Sequence, residues 1–202
     1  KILKCSPHLR RLKCRITFFW DSSENNYRYP SLEFLKQLES LNISFRPSYI
    51  PDDAIPDLTS LPRNLKKLTL CNFDLSSEQM EIIGKLPELE VLKLRDDIFE
   101  GKEWNESKDG FQKLRFLELD GVQIEHWNAS SDDFPRLERL VLRSCQQLEI
   151  PSDFWNIPFL SKIEVHGCLK SMEESATQIQ KLQKEMLGIE ELKVIISRSQ
   201  QK

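Results

Sequence analysis

One hexameric pattern recurs along this chain and restricts how it can fold more than any other feature. Its apolar residues sit at the first, fourth and sixth places, and its copies open at residues 9, 38, 65, 89, 114, 137, 160 and 189, at intervals of 23 to 29 residues. The plainest copies are Leu65-Lys-Lys-Leu68-Thr-Leu70, Leu89-Glu-Val-Leu92-Lys-Leu94, Leu114-Arg-Phe-Leu117-Glu-Leu119 and Leu137-Glu-Arg-Leu140-Val-Leu142. The outer copies are looser: Leu9, Leu12 and Cys14; Leu38, Leu41 and Ile43; Leu160, Ile163 and Val165; Ile189, Leu192 and Val194. Successive side chains of a strand point to opposite faces, so the fourth and sixth residues turn inward and their neighbours turn outward.

A period of this length carrying this hexamer is the signature of leucine-rich repeats, in which each unit lays one short strand beside the previous one. The expected fold is an α/β solenoid: a leucine-rich-repeat horseshoe of about eight repeats, with a parallel concave β-sheet and an irregular or short-helical convex side. A C-terminal capping helix and strand over about 171–196 should close it. A hydrophobic content of 39% in 202 residues suffices for one core drawn out as a ribbon, so residues 1–202 read as a single domain.

Between the hexamers, Ser76 and Gln79 have capping-box spacing ahead of Met80, Ile82 and Ile83, with a stop at Gly84. Two acidic, polar stretches, 96–110 and 120–134, carry Trp104 and Trp127 near their middles, where packing on the convex edge is expected. Pro151 and Pro158 punctuate turns. From Ser171 to Leu187, Met172, Ala176, Ile179, Leu182 and Met186 fall at helical intervals. Ser171 and Glu174 suggest a capping box there and Gly188 a stop, with a last strand expected over Leu192–Ile196.

The chain begins with Lys1 and its first hexamer already has repeat character, which suggests a piece of a longer protein. No apolar run approaches the roughly 18 residues a membrane span needs, and a net charge of −3 argues against nucleic acid. Five cysteines, at 5, 14, 71, 145 and 168, fit reduced thiols in the cytoplasm better than a secreted disulfide framework. Cys145 and Cys168 stand in the same place in adjacent repeats and should be stacked neighbours, read as two buried thiols. Sequons at Asn42, Asn105 and Asn128 pull toward an extracellular setting, but irregular repeat spacing and only six glycines favour a cytoplasmic one.

No glycine-rich phosphate loop, HExxH, CxxC pair or GxSxG occurs. His8, His126 and His166 are scattered on the repeat map, and His166 reads as a solvated imidazole on the exposed side of its strand. The double acids Asp52-Asp53, Asp96-Asp97 and Asp132-Asp133 read as solvated loop residues. No enzyme, metal or cofactor site is expected in this segment.

The segments between hexamers are familiar as well as periodic. The run Leu75-Ser-Ser-Glu-Gln-Met-Glu-Ile-Ile-Gly-Lys-Leu-Pro-Glu-Leu-Glu-Val-Leu-Lys-Leu94 resembles the repeat domains of plant coiled-coil nucleotide-binding leucine-rich-repeat immune receptors, notably the nightshade-family late-blight-resistance type. Phe111–Leu119 with Trp127 beyond it, Phe134–Cys145 leading to Glu149-Ile-Pro151, and Glu174–Ile179 with Leu192-Lys-Val194 agree in the same order. The resemblance implies the C-terminal part of the repeat domain of a larger cytoplasmic receptor. It implies a non-enzymatic role: holding the receptor's own nucleotide-binding domain inactive and helping to sense pathogen effectors or other immune receptor proteins. ATP or ADP would belong to that upstream domain. The alternative is the repeat half of an F-box ubiquitin-ligase adaptor.

The phase of the hexamers assigns each flanking residue a side. Of the 24 positions expected on the concave face, ten are basic and four acidic, a net +6 that leaves −9 on the remainder. A basic concave surface steers acidic partners. The candidate patch is Arg11, Lys13, Arg15, Lys67, Lys93 and Arg95. A candidate hot spot is Val91, Phe116 and Val141, apolar residues in three consecutive repeats, with Arg143 beside them. The isolated segment is expected to be a monomer.

Overall fold

The structure is a computed structural model that describes residues 6, 8–16, 19–21, 26–28, 32, 34–45, 58–96, 98–99, 102–105, 110–146, 148–188 and 190–198. Expectations made for Cys5, Asp52, Asp53, Asp97 and Ile189 fall outside these residues. In chain order the elements are β1 (Arg11–Ile16), β2 (Phe19–Asp21), β3 (Asn26–Arg28), β4 (Ser40–Phe45), β5 (Lys67–Cys71), β6 (Asp74–Leu75), α1 (Ser77–Gly84), β7 (Val91–Arg95), β8 (Ile98–Phe99), β9 (Glu103–Asn105), β10 (Phe116–Asp120), β11 (His126–Asn128), β12 (Arg139–Arg143), β13 (Lys162–His166), α2 (Lys170–Leu187) and β14 (Lys193–Ser197).

The eight hexamers become one sheet of eight strands in the order β1-β4-β5-β7-β10-β12-β13-β14, each pair parallel. One inward rung runs through Leu41, Leu68, Leu92, Leu117, Leu140 and Ile163, and the next through Ile43, Leu70, Leu94, Leu119, Leu142 and Val165. All twelve are buried, none more than 4% exposed. Truncating one to alanine in such a packed rung costs on the order of 2–5 kcal/mol.

Each central strand ends in the same turn. The residues that follow β5, β7, β10, β12 and β13, namely Asn72, Asp96, Gly121, Ser144 and Gly167, all have positive φ, between 51° and 65°. Each sends its N–H to the last carbonyl of the next strand: Asn72 to Arg95, Asp96 to Asp120, Gly121 to Arg143, Ser144 to His166 and Gly167 to Ser197, at 2.8–2.9 Å. Asn and Asp tolerate this left-handed region, which is why the chain manages with few glycines. At Gly121 space matters as well as conformation, because a Cβ there would lie 2.8 Å from the Asp96 carboxylate oxygen of the preceding rung.

The convex side carries its own ladders. β9 and β11 pair in parallel and set Trp104 on Trp127, stacked with centroids 5.2 Å apart. Phe99, Phe111, Phe134 and Phe154 close around them at 5.1–6.2 Å. The expected packing of both tryptophans on the convex edge is met. β6 pairs with β8, and β2 with β3 as a short antiparallel ribbon, pairings that the hexamer pattern does not contain. On the outer rim of β9 and β11, Asn128 donates to Asn105 at 2.8 Å, so two of the three sequon asparagines form a polar rung.

α1 begins on the expected capping box, with the Gln79 N–H donating to Ser76 and the Ser76 N–H to the Gln79 side chain. α2 corrects the sequence reading in two respects. Its first residue is Lys170 and its N-cap Leu169 offers no side-chain bond; Ser171 lies inside the first turn, and Glu174 pairs with Lys170 at 3.1 Å. Its buried face is Met172, Glu173, Ala176, Ile179 and Gln183, while Leu182 is half-buried and Met186 is 63% exposed. Among the described residues no helix is long and apolar enough to cross a membrane.

The last strand keeps its expected inward–outward alternation but pairs two residues out of its expected register. Register pairs Lys193 with Lys162, Ile195 with Glu164 and Ser197 with His166, so Glu191 lies before the strand and outside the sheet. Helix α2 ends in a left-handed Gly188, and Leu192 is consumed in closing the cap, buried at 2% exposure, before the strand begins. With Ser197 in place of Glu191, the concave columns hold ten basic and three acidic residues, a net +7.

Candidate protein-interaction face

Three outward columns cross the concave face. The first runs Arg11, Ser40, Lys67, Val91, Phe116, Arg139, Lys162 and Lys193; the second Lys13, Asn42, Thr69, Lys93, Glu118, Val141, Glu164 and Ile195; the third Arg15, Ser44, Cys71, Arg95, Asp120, Arg143, His166 and Ser197. The candidate basic patch is therefore contiguous only in part.

Two buried carboxylates organise the C-terminal half. Glu118, 5% exposed, accepts from Lys93 Nζ at 2.8 Å and from Arg95 Nε at 3.0 Å and Nη2 at 2.5 Å. Burial pushes its pKa up, but the hydrogen bonds from Lys93 and Arg95 outweigh burial and hold it below the usual carboxylate range. Glu164, 6% exposed, sits 2.6 Å from Arg139 Nη2, 2.8 Å from Lys162 Nζ and 3.3 Å from His166 Nε2. Burial again opposes ionisation, and the bonds from Lys162 and His166 with the charge of Arg139 bring the carboxyl down to about 2. His166 is thus a held group and not the solvated imidazole expected, since its other nitrogen bonds to Ser197 Oγ.

Phe116 stands between the two clusters. Lys93 Nζ lies 4.9 Å from its ring centroid and Arg139 Cζ 5.3 Å, so one cation from each cluster also covers the ring. Val91 is half-buried beside it. Val141 is on the concave side as alternation requires, yet it is only 1% exposed, which removes it as contact area for a partner. Its cross-strand neighbours are Glu118 and Glu164, the two carboxylates on which the long ionic side chains converge. Arg143 remains half-buried at the edge of the same strand.

Among the described residues, the N-terminal half has no such organiser. Arg11, Lys13, Arg15 and Lys67 are exposed, and none pairs with a carboxylate among the described residues. Their neighbours across β4 are the short neutral side chains of Ser40, Asn42 and Ser44. The difference in side-chain length leaves a depression of about 410 Å³, walled by Lys13, Arg15 and Arg95 and floored by Asn42, Ser44 and Thr69. It offers cations at the rim and hydrogen-bonding groups below, an arrangement suited to acidic side chains on a partner. Sequence reading found the cations, but the sign count could not separate free cations from those already bound to Glu118 and Glu164.

One parallel strand per repeat, apolar rungs inside and a ruler of polar positions outside define a leucine-rich-repeat protein. The chain belongs to that family, and residues 2–190 match the family described as leucine-rich repeat region. The similarity is also more particular. The chain is 38% identical over 187 residues to the late blight resistance protein R1-A of Solanum demissum, covering 91% of this chain and 14% of that protein. To a putative late blight resistance protein homolog from the same species it is 37% identical over 187 residues, with the same coverage. The chain thus spans 14% of the length of these relatives. The solved structure of Listeria monocytogenes InlP is similar with a TM-score of 0.45 and 16% identity, over 69% of this chain and 45% of that one.

Proposed function

We propose that this chain is a non-catalytic protein-interaction segment of a cytoplasmic plant immune receptor. Its concave face holds the receptor's own nucleotide-binding domain, the part that carries ATP or ADP, in the resting state. It also contributes to recognition of pathogen effectors or of other immune receptor proteins. The similarity to late blight resistance proteins supports the disease-resistance setting. The observation that carries the docking site is the outward side of β1, Arg11, Lys13 and Arg15, exposed and without a carboxylate partner among the described residues, beside the depression at Lys13 and Arg15. Such cations attract an acidic surface over about a Debye length, roughly 8–10 Å at physiological salt.

The test is charge reversal of Arg11, Lys13 and Arg15 to Glu in a receptor that contains both this segment and the nucleotide-binding domain. Co-precipitation of the two parts should fall at least about tenfold and the receptor should signal without a pathogen, while thermal stability of the segment stays the same. Unchanged association with no autoactivity removes this face as the docking site.

A further inference from the structure

On the interior of the solenoid, Cys145 and Cys168 lie two residues beyond β12 and β13, whose register pairs Arg143 with His166, so both occupy the same place on consecutive rungs. Each thiol donates to the carbonyl two residues before it, Cys145 to Arg143 at 3.2 Å and Cys168 to His166 at 3.5 Å. The side chains therefore share one pose on adjacent rungs. Both are reduced. Neighbouring strands lie about 4.8 Å apart, inside the roughly 4.4–6.8 Å Cα separation that a disulfide spans.

Their surroundings differ in a way that assigns separate roles. Cys145 is fully buried and also contacts the Leu119 carbonyl at 3.6 Å. Cys168 is half-buried and immediately precedes Leu169, the N-cap of the 18-residue helix α2, whose positive end favours a thiolate. The neighbouring Cys145 thiol brings the Cys168 thiol down to about 7 against the opposing effect of burial. The same pairing, together with burial, pushes Cys145 far upward.

We propose that Cys168 is a hydroperoxide-reactive thiol and Cys145 its resolving partner, so that oxidation ties the capping unit to the preceding repeat. In the first step the Cys168 thiolate attacks one peroxide oxygen; an S–O bond forms, the O–O bond breaks, and hydroxide leaves and takes a proton. In the second the Cys145 sulfur attacks the Cys168 sulfenic acid; an S–S bond forms, the S–O bond breaks, and the Cys145 proton leaves with the hydroxyl as water. Two thiols lose two electrons and the peroxide is reduced to two waters.

The protein is treated with stoichiometric hydrogen peroxide, its remaining thiols are alkylated, and its peptides are mapped by mass spectrometry. The expected product is a linked Cys145–Cys168 peptide with loss of two thiols per chain, reversed by dithiothreitol. Its rate of formation should rise with pH about a midpoint near 7. In a Cys145→Ala variant, dimedone should capture Cys168 as the sulfenic acid, whereas the unaltered protein should yield no adduct. Cys71, on the concave face, is the internal reference. Oxidation of Cys168 no faster than Cys71, or its passage to a sulfinic acid without the linked peptide, overturns the proposal. Both of those outcomes are read in the unaltered protein, so an unfolded variant does not shelter it.

Discussion

The concave face carries ten basic side chains, but its two halves use them differently. From β7 to β13, Lys93, Arg95, Arg139 and Lys162 converge on Glu118 and Glu164, two carboxylates so far buried that their ionisation depends on those cations. At β1 and β5, Arg11, Lys13, Arg15 and Lys67 stand exposed beside neutral residues of β4. Cations of the first kind stabilise the sheet, and a partner that draws them away leaves a bare buried carboxylate. Cations of the second kind have only solvent to lose. Net charge on a face thus overstates what a ligand can reach, and the unpaired cations are the better guide to where one docks.

The contrast can be broken most directly at its strongest point. Replacing Glu164 with Gln leaves Arg139, Lys162 and His166 gathered without a countercharge and should cost about 3 kcal/mol in urea unfolding. A cost below about 0.5 kcal/mol, the usual level for a surface change, would put the C-terminal half in the same regime as β1. Acid should reveal the same distinction with a comparable amplitude. Glu164 titrates at about 2 in the folded chain and near 4.3 when unfolded. Because the folded value is the lower one, its stabilising contribution is complete at neutral pH and is lost as pH falls from about 4.3 toward 2, amounting to about 3 kcal/mol. Hydrogen exchange across that range should show β12 and β13 opening before β4 and β5; simultaneous opening would mean that the carboxylate cluster is not what divides the halves. The smallest effect is expected at Phe116→Ala, which removes the ring shared by Lys93 and Arg139 and should cost about 1 kcal/mol by thermal unfolding. No loss of stability would return Phe116 to the role of a free contact residue.

Strand positions were legible because burial of alternate residues tolerates no slip: a shift by one at Leu92 or Leu117 would place leucines in water and Lys93 or Glu118 in the core. β14 escaped this logic because Leu192 is buried by the cap and imitates a rung residue. Side was legible at Val141, but exposure was not, since it depends on the length and charge of residues 23 positions away on either side, Glu118 and Glu164. Pairing of free and bound cations is likewise a property of three neighbouring strands together. The second ladder did have a signal: Trp104, Trp127 and Ile150 recur at 23 residues, and so do Asn105, Asn128 and Pro151. It ends at the proline, which has no N–H, and the Ile150 N–H turns to Ser175 of α2.

The left-handed turn that follows each central strand bears on how such a chain can change length. Asn72, Asp96, Gly121, Ser144 and Gly167 make one identical bond to the rung ahead. Cutting the chain at any one of them and rejoining it at any other restores that bond and the strand register, whatever lies between. Whole units can therefore be gained, lost or exchanged at these joints without redesign of the sheet, whereas a cut between positions that are not equivalent in register shifts the inward rungs. The joints are where a lineage of such proteins can shuffle its contact surface while its scaffold stays the same.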